Sequence, residues 1–258
     1  MQGEKLGLYL YWQDRKLSAA GFIDLLTKYV ALLQSWHPEF LHLSLLDAHS
    51  MEIDFNSLSH SPELFLPLLF NEDAWYIKPD GSRDTNLTLD SFSDSGFYCD
   101  LFTATKKSDD PLTISVNIGH HKVSAPDGRV YGNEIPNSVV IKFPAQPVPA
   151  FYEYNFVKEL FEQSVSFWQP YAGWVTSNEF RSKLKQPGSV FSIGWMSYFN
   201  NAVLDQLALD VYEKKNRLIV LDESPVSSKD EQQVAKAVAV RNVLQNAGIL
   251  QWPAKQQE

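Results

Sequence analysis

A mixed α+β fold is predicted by three features of the sequence. Apolar residues recur at helical spacing in two separated segments, and short strand-like runs flank each of them. Between them, a central stretch alternates apolar and polar residues as a half-buried antiparallel sheet does. Strand, helix, Trp-x-Pro and strand occur twice. This reads as two similar strand-helix-strand halves, about residues 1–135 and 136–250, of a single domain with a central antiparallel meander and a polar tail over 251–258.

Residues 6–12 open the chain as a strand. Phe22, Leu25, Leu26, Tyr29, Val30 and Leu33 then fall at i, i+3, i+4, i+7, i+8 and i+11, the apolar face of a helix. Trp36-His37-Pro38 ends it, because the residue before proline is pushed out of the helical region. A strand over about 40–46 is expected next. In the central stretch, about 75–132, Leu112, Ile114, Val116 and Ile118 alternate with Thr113, Ser115 and Asn117. Ser95-Gly96 introduces a strand-like run over 97–105, and Pro126-Asp127-Gly128 marks a turn between Lys122-Val123 and Val130-Tyr131.

The pattern then repeats. A strand over 139–143 is followed by a stiff connector holding Pro144, Pro147 and Pro149. Val157, Leu160, Phe161, Val165 and Trp168 line a second helix that stops at Trp168-Gln169-Pro170, and a strand over 173–177 follows. Beyond Pro187-Gly188, a strand over 190–199 is expected to carry Gly194-Trp195, and 218–221 is a short buried strand. Ser228-Lys229-Asp230-Glu231 has capping-box spacing, with Ser228 as N-cap and Glu231 reaching back. The helix it opens presents Val234, Ala237, Val238, Arg241 and Leu244 and stops at Gly248, a suitable C′ residue.

Composition removes several classes of function. The 258 residues hold 31 acids against 22 bases, a net charge of −9, with 13% aromatic residues and 21% charged. That composition excludes a largely disordered chain. The apolar run over 64–70, broken by Pro67, is far short of the ~20 residues that span a bilayer. Residues 6–12 run straight into Gln13, Asp14 and Arg15, unlike a secretory leader. One cysteine, Cys99, makes no internal disulfide, so a cytoplasmic location is expected. The acidity opposes direct binding of nucleic acid, and a charged partner is expected to be basic.

Signatures of catalysis are absent from the sequence: there is no phosphate loop, no Gly-x-Gly-x-x-Gly, no His-Glu-x-x-His and no Gly-x-Ser-x-Gly. Cys99 sits within an alternating strand beside Asp100, which opposes a reactive thiolate. His37, His42, His49 and His60 share a stretch with Glu39, Asp47, Glu52 and Asp54, yet their spacing matches no helical ligand pair. His120-His121 points its two rings to opposite faces of an extended chain. No metal or cofactor is expected. Asp222-Glu223 follows a short strand, where α/β enzymes place acids, but is more simply a solvated turn. Trp12, Trp36, Trp75, Trp168, Trp174, Trp195 and Trp252 suit core closure better than a sugar platform.

Charge is the one surface signal. Residues 72–134 hold eleven acids against six bases, so more than half of the net charge falls in one quarter of the chain. Asp84, Asp90, Asp94, Asp109 and Asp110 are the candidate partner-binding residues of this acidic stretch.

Tyr11-Trp12-Gln13-Asp14-Arg15-Lys16, Trp36-His37-Pro38, Pro136-Asn137-Ser138-Val139-Val140, Trp168-Gln169-Pro170 and Gly194-Trp195-Met196-Ser197-Tyr198-Phe199 follow one another along the chain. In these motifs the sequence resembles the immunity protein 52 family of bacterial polymorphic-toxin and type VI secretion systems. The resemblance spans about residues 7–248. It implies a non-enzymatic protein that binds and neutralises a cognate toxin, typically a nuclease encoded in the adjacent gene. An acidic protein would meet the basic surface of such a toxin in place of phosphate. The alternatives are a hydrolase using Asp222 and Glu223 in an aromatic cleft, and a carbohydrate-binding module.

Overall fold

The computed structural model describes residues 4–13, 15–47, 50–58, 61–71, 74–78, 80–103, 111–120, 123–124, 130–131, 137–144, 148–187 and 189–252. The fold is α+β, with seven α-helices among the described residues and strands that pair antiparallel wherever their register is defined. Two compact units divide it: residues 11–141, and residues 1–10 together with 142–258.

In chain order, β1 (Leu6–Trp12) leads into α1 (Ala19–Trp36). Ser18 caps α1, its Oγ accepting from Gly21 N at 3.2 Å. β2 (Leu43–Leu46), β3 (Glu52–Asp54), α2 (Phe55–Leu58) and α3 (Pro62–Leu69) follow. A small three-stranded sheet holds β4 (Tyr76–Ile77) between β5 (Arg83–Asp84) and β6 (Phe92–Ser93). β7 (Phe97–Thr103) and β8 (Thr113–Ile118) form a long antiparallel pair. β9 (Val123–Ser124) pairs with β10 (Val130–Tyr131), as the sequence suggests, while the turn at Pro126-Asp127-Gly128 lies outside the described residues. β11 (Asn137–Lys142) completes this part, where the order is β11-β8-β7-β2-β3.

The remainder runs α4 (Tyr154–Trp168), β12 (Ala172–Ser177), α5 (Asn178–Leu184), β13 (Met196–Phe199), α6 (Val203–Gln206), β14 (Glu213–Lys215), β15 (Leu218–Val220) and α7 (Glu231–Asn246). Its strand order is β14-β15-β13-β12-β1. Trp168, Trp174 and Trp195 are all at least 98% buried in this unit. Both Trp-x-Pro stops end their helices: His37 turns extended after α1, and Gln169 turns left-handed after α4.

Four expectations are corrected. The strand predicted over 40–46 begins only at Leu43, because Pro38 starts a 3₁₀ turn closed by Leu41 N to Pro38 O at 3.0 Å. The strand predicted over 190–199 begins only at Met196. Val190 and Phe191 both give their N–H to Leu250 O, at 2.9 and 3.2 Å, instead of to a neighbouring strand. The cap of α7 is Asp230, not Ser228, its Oδ1 accepting from Gln232 N at 2.9 Å and Gln233 N at 3.0 Å. The start of the expected polar tail is packed: Trp252 lies edge-on to Phe191 at 4.5 Å between ring centres. Residues 253–258 lie outside the described set.

Ser228 is used elsewhere. The Glu4 carboxylate accepts from Ser228 N and Ser228 Oγ, both at 2.7 Å, from Ser227 Oγ at 3.1 Å and from Ser177 Oγ. Burial pushes the Glu4 carboxyl up, and these hydrogen bonds outweigh it, holding the group below the ordinary carboxylate value.

The Gly194-Trp195 motif has a steric cause. A Cβ at Gly194 would stand 2.1 Å from Val175 O, so only glycine permits this approach of two backbones. Gly194 N donates to Ser197 Oγ at 3.0 Å, and the indole N–H of buried Trp195 donates to Asp222 O at 2.8 Å.

Candidate partner-binding face

The pairing of β2, β3, β7 and β8 fixes which side chains share a face. Phe97, Cys99 and Leu101 lie opposite Ile118, Val116 and Ile114, all buried, and Phe22 of α1 packs on Phe97 at 5.7 Å between ring centres. On the other face, Tyr98, Asp100 and Phe102 stand opposite Asn117, Ser115 and Thr113. Phe102 also opposes Ser44, Ser44 opposes Asp54, and Leu46 opposes Glu52.

This second face meets solvent, as one side of an antiparallel sheet can. Tyr98 and Leu46 are each 53% exposed, and Asp100, Glu52 and Asp54 are exposed as well. None of the residues of these four strands is Lys or Arg. Aromatic and aliphatic surface therefore lies among three carboxylates.

Local hydrogen bonds aim the acids. Asp100 accepts from the Tyr98 hydroxyl through Oδ2 and from Ser115 Oγ through Oδ1 at 2.5 Å. Ser44 Oγ donates to Glu52 Oε1 at 2.8 Å. Burial, then the hydrogen bond and charge of Asp100, push the Tyr98 hydroxyl up to about 12, so it remains a donor at neutral pH. A carboxylate has about four lone-pair sites, and two bonds leave Asp100 able to accept from a guanidinium or ammonium.

The acids singled out from sequence fall elsewhere. Asp84 lies on β5 and is already engaged: Lys78 Nζ is 2.6 Å away, and Asn86 N donates to it at 3.0 Å. The Lys78 hydrogen bond leads the causes that hold the Asp84 carboxyl below its ordinary value. Asp90 is exposed and Asp94 half-buried in the loops flanking β6. Asp109 and Asp110 lie outside the described residues. Sequence reasoning passed over Asp100 as a site residue, although its period-two alternation with Phe97, Cys99 and Leu101 marked it as outward-facing.

Other candidates resolve into local roles. Cys99 is buried, and burial, followed by the Asp100 charge, pushes its thiol up to about 12. His37 Nδ1 accepts from Glu39 N at 3.2 Å, and a ring nitrogen of buried His120 is 2.8 Å from Asn117 Oδ1. His49, His60 and His121 lie outside the described residues. Among the described residues no group of three or more His, Cys, Asp or Glu is placed to hold a metal ion. Asp222 Oδ1 accepts from Ser224 N at 3.0 Å, a local turn, and Glu223 is exposed. Trp75 is 48% exposed, with the Arg83 guanidinium 6.0 Å from its ring centre. No described helix is long and apolar enough to cross a membrane. Compared with known proteins, the chain matches no family model and no curated protein.

Proposed function

We propose that this chain is a non-catalytic immunity protein. It binds and neutralises a basic secreted toxin, a nuclease encoded in the adjacent gene, and protects the producing bacterial cell from within the cytoplasm. The observation that carries this reading is the open face of β2, β3, β7 and β8, where Tyr98, Phe102 and Leu46 lie among Asp100, Glu52 and Asp54. Aromatic anchors supply affinity, and carboxylates supply attraction to Lys and Arg that a nuclease keeps for phosphate. Asp84, Asp90 and Asp94 add to long-range attraction rather than to contact.

Protection from a nuclease needs roughly nanomolar affinity, about −12 kcal/mol. Charge seldom supplies that alone, so exposed Tyr98 is the expected anchor. The test mixes the full chain with the product of the adjacent toxin gene. A stoichiometric complex and loss of nuclease activity support the reading. Neither binding nor inhibition at micromolar concentration overturns it.

A further inference from the structure

A pocket of about 330 Å³ opens beside α5, bounded by the segment that follows it and by Arg241 of α7. That volume is at the small end of the range for ligand sites. Its charge runs against the rest of the molecule: Arg181, Lys185 and Arg241 line it, and none of its lining residues is Asp or Glu, in a chain of net charge −9.

Arg241 is held in place from two sides. Its Nη1 donates to Leu184 O at 3.0 Å, and its Nε and Nη2 donate to Asn242 Oδ1 at 3.3 and 2.9 Å. Three of the five guanidinium donors are thereby used, and two remain. Arg181 and Lys185 reach the rim from exposed positions one helical turn apart. The helix dipole alone accounts for a base near the end of α5, but not for the convergence of Arg241 from a different helix.

Gln186 also lines the pocket, with its Oε1 buried out of a ligand's reach. Phe191 and Ile193 supply apolar wall.

We propose that this pocket binds a small phosphate monoester. Its phosphate is held by Arg181, Lys185 and Arg241, and its carbon skeleton rests on Phe191 and Ile193. The pocket shares no residue with the sheet face, so the tests of toxin binding and of ligand binding fail separately.

Calorimetric titration of the full chain uses glucose 6-phosphate, adenosine monophosphate and inorganic phosphate as probes, with vesicles containing phosphatidic acid as the lipid arm. At least one of the two esters is expected to bind with a submillimolar constant, more tightly than inorganic phosphate. Arg181→Gln with Lys185→Gln, both at exposed positions, is expected to weaken that ester at least tenfold with an unchanged circular dichroism spectrum. Binding of the vesicles without either soluble ester overturns the proposal. So do equal affinities for ester and inorganic phosphate, or an ester affinity indifferent to the paired Arg181 and Lys185 change.

Discussion

Glu4 accepts two hydrogen bonds from Ser228, one from its backbone N–H and one from its hydroxyl, each at 2.7 Å. The serine that looked from sequence like a helix cap instead ties the start of the chain to the segment that leads into α7. Ser177 and Ser227 complete the ring of donors.

Replacing Glu4 by Gln is expected to cost about 1–2 kcal/mol, since hydrogen bonds to a charged acceptor exceed those to a neutral one. The Glu4 carboxyl sits lower in the folded chain than in the unfolded one. Its contribution is therefore fully present above the ordinary carboxylate value of 4.5 and is lost as pH falls through the depressed folded value. Urea midpoints of the two proteins should differ at pH 7 and draw together in acid. A constant gap across that range would refute the assignment.

Gly194→Ala is expected to destabilise by about 3 kcal/mol, because the added carbon meets the Val175 carbonyl, which is backbone and has no other rotamer to adopt. Gly81→Ala is the control for inserting a methyl in open space, since nothing lies within 4 Å of its Cβ position, although its positive φ of 84° adds its own smaller strain. Denaturant unfolding of both variants separates the two effects by size.

Cys99 is the sole cysteine and is buried, with its thiol pushed up to about 12. A thiol reagent at pH 8 should leave the native protein unmodified and label it fully in guanidinium. Rapid labelling of the native chain would show that β7 opens readily.

Tyr98→Ala should raise the dissociation constant for the proposed toxin about thirtyfold, mostly through faster dissociation. Neutralising Asp100, Glu52 and Asp54 together should slow association and flatten its salt dependence. The matching change at Asp84, Asp90 and Asp94 should do less, because Lys78 already compensates Asp84. If that second set dominates, the contact lies on the small sheet formed by β4, β5 and β6.

What the sequence disclosed was governed by distance along the chain. Trp36-His37-Pro38 and Trp168-Gln169-Pro170 were legible as helix stops because proline acts on the residue beside it. The strand of Thr113–Ile118 was legible from its own alternation. Ser228 misled because its partner, Glu4, lies 224 positions away and a local capping pattern was at hand. The sheet face was half visible: parity alone puts Tyr98 and Asp100 on one side. That Glu52 and Asp54 join them follows only from the β2–β7 and β2–β3 registers, which no local pattern encodes. The pocket beside α5 was invisible for the same reason, since Arg181 and Arg241 are brought together by packing.

The carboxylates of the open face also select against a partner always at hand, the protein's own copies. Two molecules meeting face to face would set Asp100, Glu52 and Asp54 of one against the same three acids of the other. β3, an edge strand of only three residues, begins and ends in acid, which discourages strand-to-strand association. Exposed Tyr98 and Leu46 thus lie on a face whose like charges oppose its pairing with a copy of itself, whereas a molecule of opposite charge would meet no such repulsion.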